Sequence, residues 1–255
     1  MHYISRLLKS LAIFLALAGG CTGAAGAAEI RVLSAGAIEP GLKAAAAAFE
    51  KQTGHGVRIT FNTAPELRKR MAGPSDFDVV IAPPAVVTDL AAASRLAEVR
   101  ANVGRVGVGV AVREGVPLPD VASVQALRAS MLAADSLVFN RASTGIYLEG
   151  LLQKMDINAQ VEGKTTRYSD GAAVMEHVIR GKGREIGFGA TTEILLYRDK
   201  GLKLVGPLPA DVQNYTSYTA APLASSRQPA LAQEFVVFLS SAVAKPLFVA
   251  AGVTD

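Results

Sequence analysis

Apolar and polar positions alternate over Glu29 to Ser34 and Val57 to Asn62, the two-residue period of a strand with one face buried. Between them, Leu42, Ala46 and Phe49 recur at helical spacing across Pro40 to Gln52, with Pro40 suited to a first helical turn and Gly54 to Gly56 to end it. The same reading continues along the chain. Pro65 to Met71 is a short basic helix, Asp78 to Ala82 (DVVIA) a buried-type strand, and Thr88 to Ala93 helical. Arg105 to Arg113 (RVGVGVAVR) is a strand, Ser123 to Ala134 a helix, and Ser136 to Asn140 a strand. Gly145 to Met155 carries Leu148, Leu151, Leu152 and Met155 on one helical face. Thr165 to Tyr168, Glu185 to Gly189, Leu202 to Val205 and Tyr215 to Ala221 read as strands. Gly171 to Arg180, Pro229 to Ser240 and Ala244 to Ala250 read as helices. Such alternation predicts an α/β fold with largely parallel sheets. Ligands of open α/β sheets bind at the carboxyl ends of strands, against helix N-termini.

The first residues follow a different rule. Arg6 and Lys9 precede an apolar run from Leu11 to Ala18 and then small residues up to Glu29. This is the layout of a secretory signal, residues 1–28, with a run too short to span a bilayer. Ala25-Gly26-Ala27 and Gly26-Ala27-Ala28 both fit signal peptidase. Ala18-Gly19-Gly20-Cys21 fits lipoprotein processing, which would lipidate Cys21. The expected location is the periplasm, with or without that anchor.

Composition then narrows the chemistry. The lone Cys among 255 residues excludes a disulfide framework and a multi-thiolate zinc site, and three His offer little to a metal. We expect no metal and no cofactor. Net charge is +4, and removing Arg6 and Lys9 leaves +2. With no Lys/Arg run interleaved with aromatics, a nucleic-acid partner is not expected. No Walker motif is present.

Four segments that follow a strand and open a helix share small residues and hydroxyls. They are SAGAIEP (Ser34 to Pro40), FNTAPEL (Phe61 to Leu67), FNRASTGIY (Phe139 to Tyr147) and RYSDGAA (Arg167 to Ala173). A helix start offers unpaired N–H groups and partial positive charge, and small residues let an anion approach. Ordinary N-capping by Ser34, Thr63, Ser143, Thr144 and Ser169 is the plainer reading of each alone. Together they point to an anion site in which Gly36 and Ala37 admit the ligand and Arg141 supplies a guanidinium for a carboxylate or oxyanion. His177 reads as a surface or core residue. Asn214 to Tyr218 is a polar aromatic stretch suited to hinge or cleft contacts, or to a plain half-exposed strand.

The opening EIRVLSAGAIEPGLKAAAAAFEKQTGHGVRI, the motif Phe49-Glu50-Lys51-Gln52-Thr53-Gly54, DFDVVIAPP (Asp76 to Pro84) and REIGFGATTE (Arg184 to Glu193) resemble the type 2 periplasmic solute-binding proteins of ABC transporters, most of all their molybdate-binding branch. The resemblance covers nearly all of the chain after residue 28. It implies a two-lobed α/β fold with mixed sheets flanked by helices and joined by two hinge strands, closing on a ligand. Lobe 1 would hold 29–105 together with 216–255, and lobe 2 would hold 106–215. It also implies a small anionic ligand, an inner-membrane permease as partner, and a monomer. The pattern departs at the ligand. Ala37 stands where the family carries a Ser, Thr63-Ala64 where it has paired Ser, and Ala190 where it has a Tyr. An organic carboxylate fits Arg141 and the hydroxyls better than molybdate.

The loops SAGAIEP, FNTAP, NRASTGIY and KGREIGFG also resemble those of bacterial aconitate isomerases, exported enzymes on the same fold. That resemblance implies exchange of trans- and cis-aconitate by an allylic proton shift. The reaction needs carboxylate anchors and a group that moves a proton. Ser34, Thr63, Arg141, Ser143 and Thr144 are the candidate anchors. Glu39, Tyr168, Asp170 and Glu193 are the candidate proton carriers. Both readings, capture and isomerisation, stand open at this level.

Overall fold

Fold elements form where the apolar pattern places them, and their ends are set by proline, glycine and caps. The computed structural model describes residues 27–255, so the signal peptide and Cys21 lie outside the described residues. Strand β1 (Glu29–Ala35) leads through one 3-10 turn into α1 (Glu39–Thr53), which has Pro40 in its first turn. Gly54 ends α1 in the left-handed region (φ 75°), where a side chain would be strained. Then come β2 (Gly56–Asn62), α2 (Ala64–Arg70), β3 (Val79–Ala82), α3 (Pro84–Ala92) and the long β4 (Ala101–Arg113). The middle of the chain forms α4 (Val124–Ala133), β5 (Ser136–Asn140), α5 (Ser143–Lys154), α6 (Asn158–Val161), β6 (Thr165–Tyr168) and α7 (Gly171–Arg180). The last part forms β7 (Glu185–Ala190), α8 (Thr191–Leu195), β8 (Leu202–Pro207), β9 (Tyr215–Pro222), α9 (Pro229–Leu239) and α10 (Ala244–Ala250).

Several features differ from the sequence expectation, among them the short helices α6 and α8, which it does not predict. Helix α3 begins at Pro84 rather than Thr88, because a proline fits a first helical turn. Strand β4 begins four residues early, at Ala101. The sheet is mixed rather than largely parallel. Its order is β2-β1-β3-β9-β4-β7-β5-β6, with β8 also on β4. Strands β1, β2 and β3 run parallel, as do β5, β6 and β7. Strands β4 and β9 pair antiparallel with each other and with their neighbours, and join the two parallel groups. This is the curled mixed α/β sheet flanked by helices that the resemblance implies.

Two large apolar cores flank that junction, and a smaller third packs α7 and α8 on β4, β5 and β8 through Val174, Val178 and Ile194. One gathers β1, β3, β9 and the first half of β4 with α1, α9 and α10; Phe49 meets Phe235 and Phe238 edge-on at 5.1 and 5.3 Å. The other gathers the second half of β4 with α4, β5, α5 and β7, around Leu127, Phe139, Leu148 and Phe188. Strand β4 serves both, through Val106 on one side and Val108 and Val110 on the other.

Away from the junction, Ser123 caps α4 by accepting from the Ala126 N–H at 3.1 Å. Ser123→Ala should lower stability by about 1 kcal/mol in urea unfolding. Ligand affinity should not change, since α4 contributes nothing to the cleft described next.

Candidate functional site

In each parallel group the strands end on the same side. The carboxyl ends of β1, β2, β3, β5, β6 and β7 therefore open onto one cleft of about 260 Å³ between the two groups. Each of these strands is followed by a turn and a helix start. Gly36 and Ala37 follow β1, Thr63 and Ala64 follow β2, and Pro83 follows β3. Ala142, Ser143 and Thr144 follow β5, Asp170 and Gly171 follow β6, and Ala190 and Glu193 surround the start of α8. Helices α1, α2, α3, α5 and α8 begin without a hydrogen bond from the N-cap side chain. Their first-turn N–H groups thus lack N-cap side-chain acceptors on the side where partial positive charge accumulates. The capping reading of Thr63 therefore fails. It is the N-cap of α2, yet its hydroxyl accepts nothing there.

Asn140 positions the densest part of this lining. It is buried at the end of β5, and its Oδ1 accepts from the N–H groups of Ala142 (3.0 Å) and Gly145 (3.3 Å). That arrangement fixes the start of α5 and so the hydroxyls of Ser143 and Thr144. With Oδ1 engaged, Nδ2 is the donor Asn140 has left to offer the cleft it lines. Sequence reading passed over Asn140. The available signal was an Asn at a strand end just before a helix start, where Asn commonly bonds local backbone. Gly171 also lines the cleft and was not singled out, while Tyr218 lines it from the polar aromatic stretch Asn214 to Tyr218.

Three carboxyl groups share the cleft: Glu39, Asp170 and Glu193. Glu39 begins α1 and pairs with Lys43 one turn on, at 2.5 Å. Asp170 caps α7, accepting from the Ala173 N–H at 2.9 Å through Oδ1, while Oδ2 accepts from the Ser169 hydroxyl at 2.9 Å. Glu193 lies in α8, on the cleft floor. Its carboxyl packs against Gly171, where an added Cβ would stand 2.4 Å from Oε2, and near Gly36, where it would stand 3.7 Å from Oε1. Glu193 keeps some surface toward the cleft, but enclosing protein atoms dominate its proton affinity. Burial pushes its pKa up to about 7; a hydrogen bond from the Ala190 backbone opposes this, and the charges of Asp170 and Glu39 add to it. The Tyr218 phenol is also held above its usual range, by burial and then by Glu193. Across the floor, the Thr192 hydroxyl donates to the Ala37 carbonyl and ties α8 to the turn after β1.

The structure brings together Gly36, Ala37, Glu39, Thr63, Ser143, Thr144, Asp170, Ala190 and Glu193. It leaves four sequence candidates outside the lining. Ser34 is fully buried within β1 and donates to its neighbour's carbonyl. Tyr168 turns its hydroxyl to His177 Nδ1 at 2.8 Å, which also gives His177 a packing role. Ser169 is exposed and spends its hydroxyl on Asp170. Arg141 is exposed just before α5 and is not part of the lining, although its neighbours Asn140 and Ala142 are; its backbone N–H donates to the Tyr168 carbonyl. Positive character in the lining therefore comes from backbone N–H groups rather than from a guanidinium. Arg141→Ala should weaken anion binding less than tenfold, by an amount that shrinks as salt is raised, in calorimetric titrations at two ionic strengths. Among the described residues no group of three His, Cys, Asp or Glu is arranged to hold a metal ion.

The chain is 28% identical to an aconitate isomerase of a Pseudomonas species over 221 residues, covering 83% of this chain and 82% of that enzyme. Its fold matches the periplasmic molybdate-binding protein of Azotobacter vinelandii with a TM-score of 0.69, at 18% identity, over 89% of this chain and 99% of that one. It matches equally an L-phospholactate-bound PEB3 structure, TM-score 0.69 at 13% identity, over 89% and 99%. The family model described as bacterial extracellular solute-binding protein matches residues 30–254. Proteins of that description work in the periplasm or outside the cell. The chain belongs to the bacterial extracellular solute-binding proteins.

Proposed function

We propose that this chain captures a small organic anion with several carboxylates and delivers it to an inner-membrane transporter. The observation that carries this reading is the convergence of six helix starts on one cleft, five of them without a side-chain cap. Such a lining binds negative charge through dipoles and N–H groups without a metal. The hydroxyls of Thr63, Ser143 and Thr144 and the amide of Asn140 add donors that suit carboxylate oxygens. Two lobes, 29–105 with 216–255 and 106–215, would close on the ligand about β4 and β9. The small anions named for the structural relatives support this class of ligand.

The test uses the purified chain without residues 1–28. Trans-aconitate, citrate, sulfate and molybdate are titrated in turn, by calorimetry and by melting. A ligand present at 100 times its Kd should stabilise the protein by about 2.7 kcal/mol. Tight binding of a carboxylate and none of molybdate is the expected outcome. Preference for molybdate would replace the carboxylate, and silence from every anion would end the reading.

A second reading is favoured by one observation. Glu193 holds a carboxyl in the cleft with a pKa near 7, as a group exchanging protons near neutral pH requires. In aconitate isomerisation, the base takes a proton from the CH2 carbon, the double bond moves one carbon along, and the proton returns to the former vinylic carbon. Glu39 and Asp170 are the other acids within the cleft. The similarity to the Pseudomonas aconitate isomerase supports this reading as well. Proton NMR of trans-aconitate with the protein separates the two. Appearance of cis-aconitate establishes turnover, and an unchanged spectrum with measurable binding leaves capture alone.

A further inference from the structure

We propose that anion capture here is proton-linked: ligand enters with one proton, carried by Glu193 as a hydrogen-bond donor facing it. The inference rests on the anion reading above. It stands on the placement of Glu193. The cleft floor brings its carboxyl against the Gly171 backbone, at the start of α7, and toward Gly36, at the turn after β1. A Cβ at residue 171 would fall 2.4 Å from Oε2, so the missing side chain of Gly171 is what makes room for this carboxyl. Two helix starts that would otherwise face an incoming anion thus already face an acid.

The charged and titratable groups around it are few. Helix α1 contributes Glu39, with Lys43 bonded to it. Asp170 stands at the start of α7, and β9 contributes Tyr218. Tyr197 follows α8, and neither β7 nor the turn after β1 adds a titratable side chain near it. Among the described residues no Lys or Arg lines the cleft, and Lys43 reaches only Glu39. An anion arriving on this floor adds negative charge beside three carboxyl groups. Asp170 accepts from the Ala173 N–H and the Ser169 hydroxyl. Glu39 has Lys43. Glu193 is enclosed by protein on the cleft floor, and that burial raises its pKa to about 7. Protonation turns it from a repelling acceptor into a donor.

The sign follows. A bound anion raises the Glu193 pKa further. Below about pH 7 the free protein already holds the proton, and affinity is flat. Above it, each pH unit should weaken binding about tenfold until the bound-state pKa is reached.

Sulfate and tricarballylate are suitable probes. Both are fully ionised from pH 7 to 9, and neither has a double bond that can migrate. Calorimetry at pH 8 in Hepes and in Tris, whose ionisation heats differ, should report uptake of close to one proton, and about half a proton at pH 7. E193Q should bind with no pH dependence from pH 7 to 9 and with equal heats in the two buffers. Without ligand, E193Q should gain melting temperature over wild type as pH rises from 5 to 8, because the ionised carboxyl destabilises only the wild-type protein. Equal wild-type heats in both buffers at pH 8, or a pH slope that survives in E193Q, would overturn the proton linkage and leave anion capture standing. No binding of either probe at any pH would overturn both.

Discussion

Gly145→Ala should cost roughly 3–5 kcal/mol of stability and weaken ligand binding more than about a hundredfold. The new Cβ would sit 1.5 Å from the carbonyl oxygen of Asn140 and 2.6 Å from its carbonyl carbon. Both atoms are backbone at the end of a buried strand, so neither can swing aside as a side chain would. The start of α5 must move instead. That movement breaks the bond from the Gly145 N–H to Asn140 Oδ1 and carries Ser143 and Thr144 away from the cleft. Gly150 lies on the same helix with nothing within 4 Å of its would-be Cβ. Gly150→Ala should therefore stabilise by about 0.5–1 kcal/mol, through helix propensity alone. Melting curves and ligand titrations of the two variants, side by side, separate tight packing from propensity. An unshifted melt in Gly145→Ala would mean that α5 does not start against Asn140.

The second large effect acts on binding with little cost to the fold. Asn140→Asp keeps an oxygen that accepts from Ala142 and Gly145, and places its charge at a helix start, where negative charge is favoured. It replaces the amide donor with a charged oxygen in a cleft that already holds Glu39, Asp170 and Glu193. A donor to a charged ligand contributes about 1.5–3 kcal/mol, so anion affinity should fall roughly 10- to 150-fold. The melting temperature of the free protein should move little. Asn140→Ala provides the contrast. It removes both acceptor bonds, so stability and binding should fall together. Full affinity in Asn140→Asp would place the ligand away from β5.

The chain announced most of its strands and helices through apolar periodicity. Its topology did not follow from the same signal. Strands β4 and β9 read as ordinary alternating runs, and nothing local says that they pair antiparallel between two parallel groups. Helix α8 escaped notice because five residues, Thr-Thr-Glu-Ile-Leu, are too few to display a helical period. That helix carries the acid on the cleft floor. Glu193 was a candidate from its sequence context, but its distinction from Glu39 and Asp170 arises only from enclosure, and Gly36 and Gly171 enclose it from remote parts of the chain. The helix starts were legible because small and hydroxylated residues mark them. Arg141 sits among those residues in sequence, but in the structure it is exposed and outside the cleft lining.

Strand β9 sits in the middle of the sheet although it is the last strand made. Val80 meets Ala221 across it, and α9 and α10 seal the same core afterwards. Elements from β5 to β7 can pair with each other as soon as residue 190 has been synthesised, whereas β3, which has β1 on one side from early on, must wait for β9 on its other side until almost the whole chain is made. Assembly is thus ordered, with the N-terminal half completed last by distant contacts that form slowly. Pulse-labelled hydrogen exchange during refolding should protect residues 136–140 before 79–82. For a protein that works outside the cytoplasm, that delay lengthens the interval in which the chain can still be threaded through a membrane.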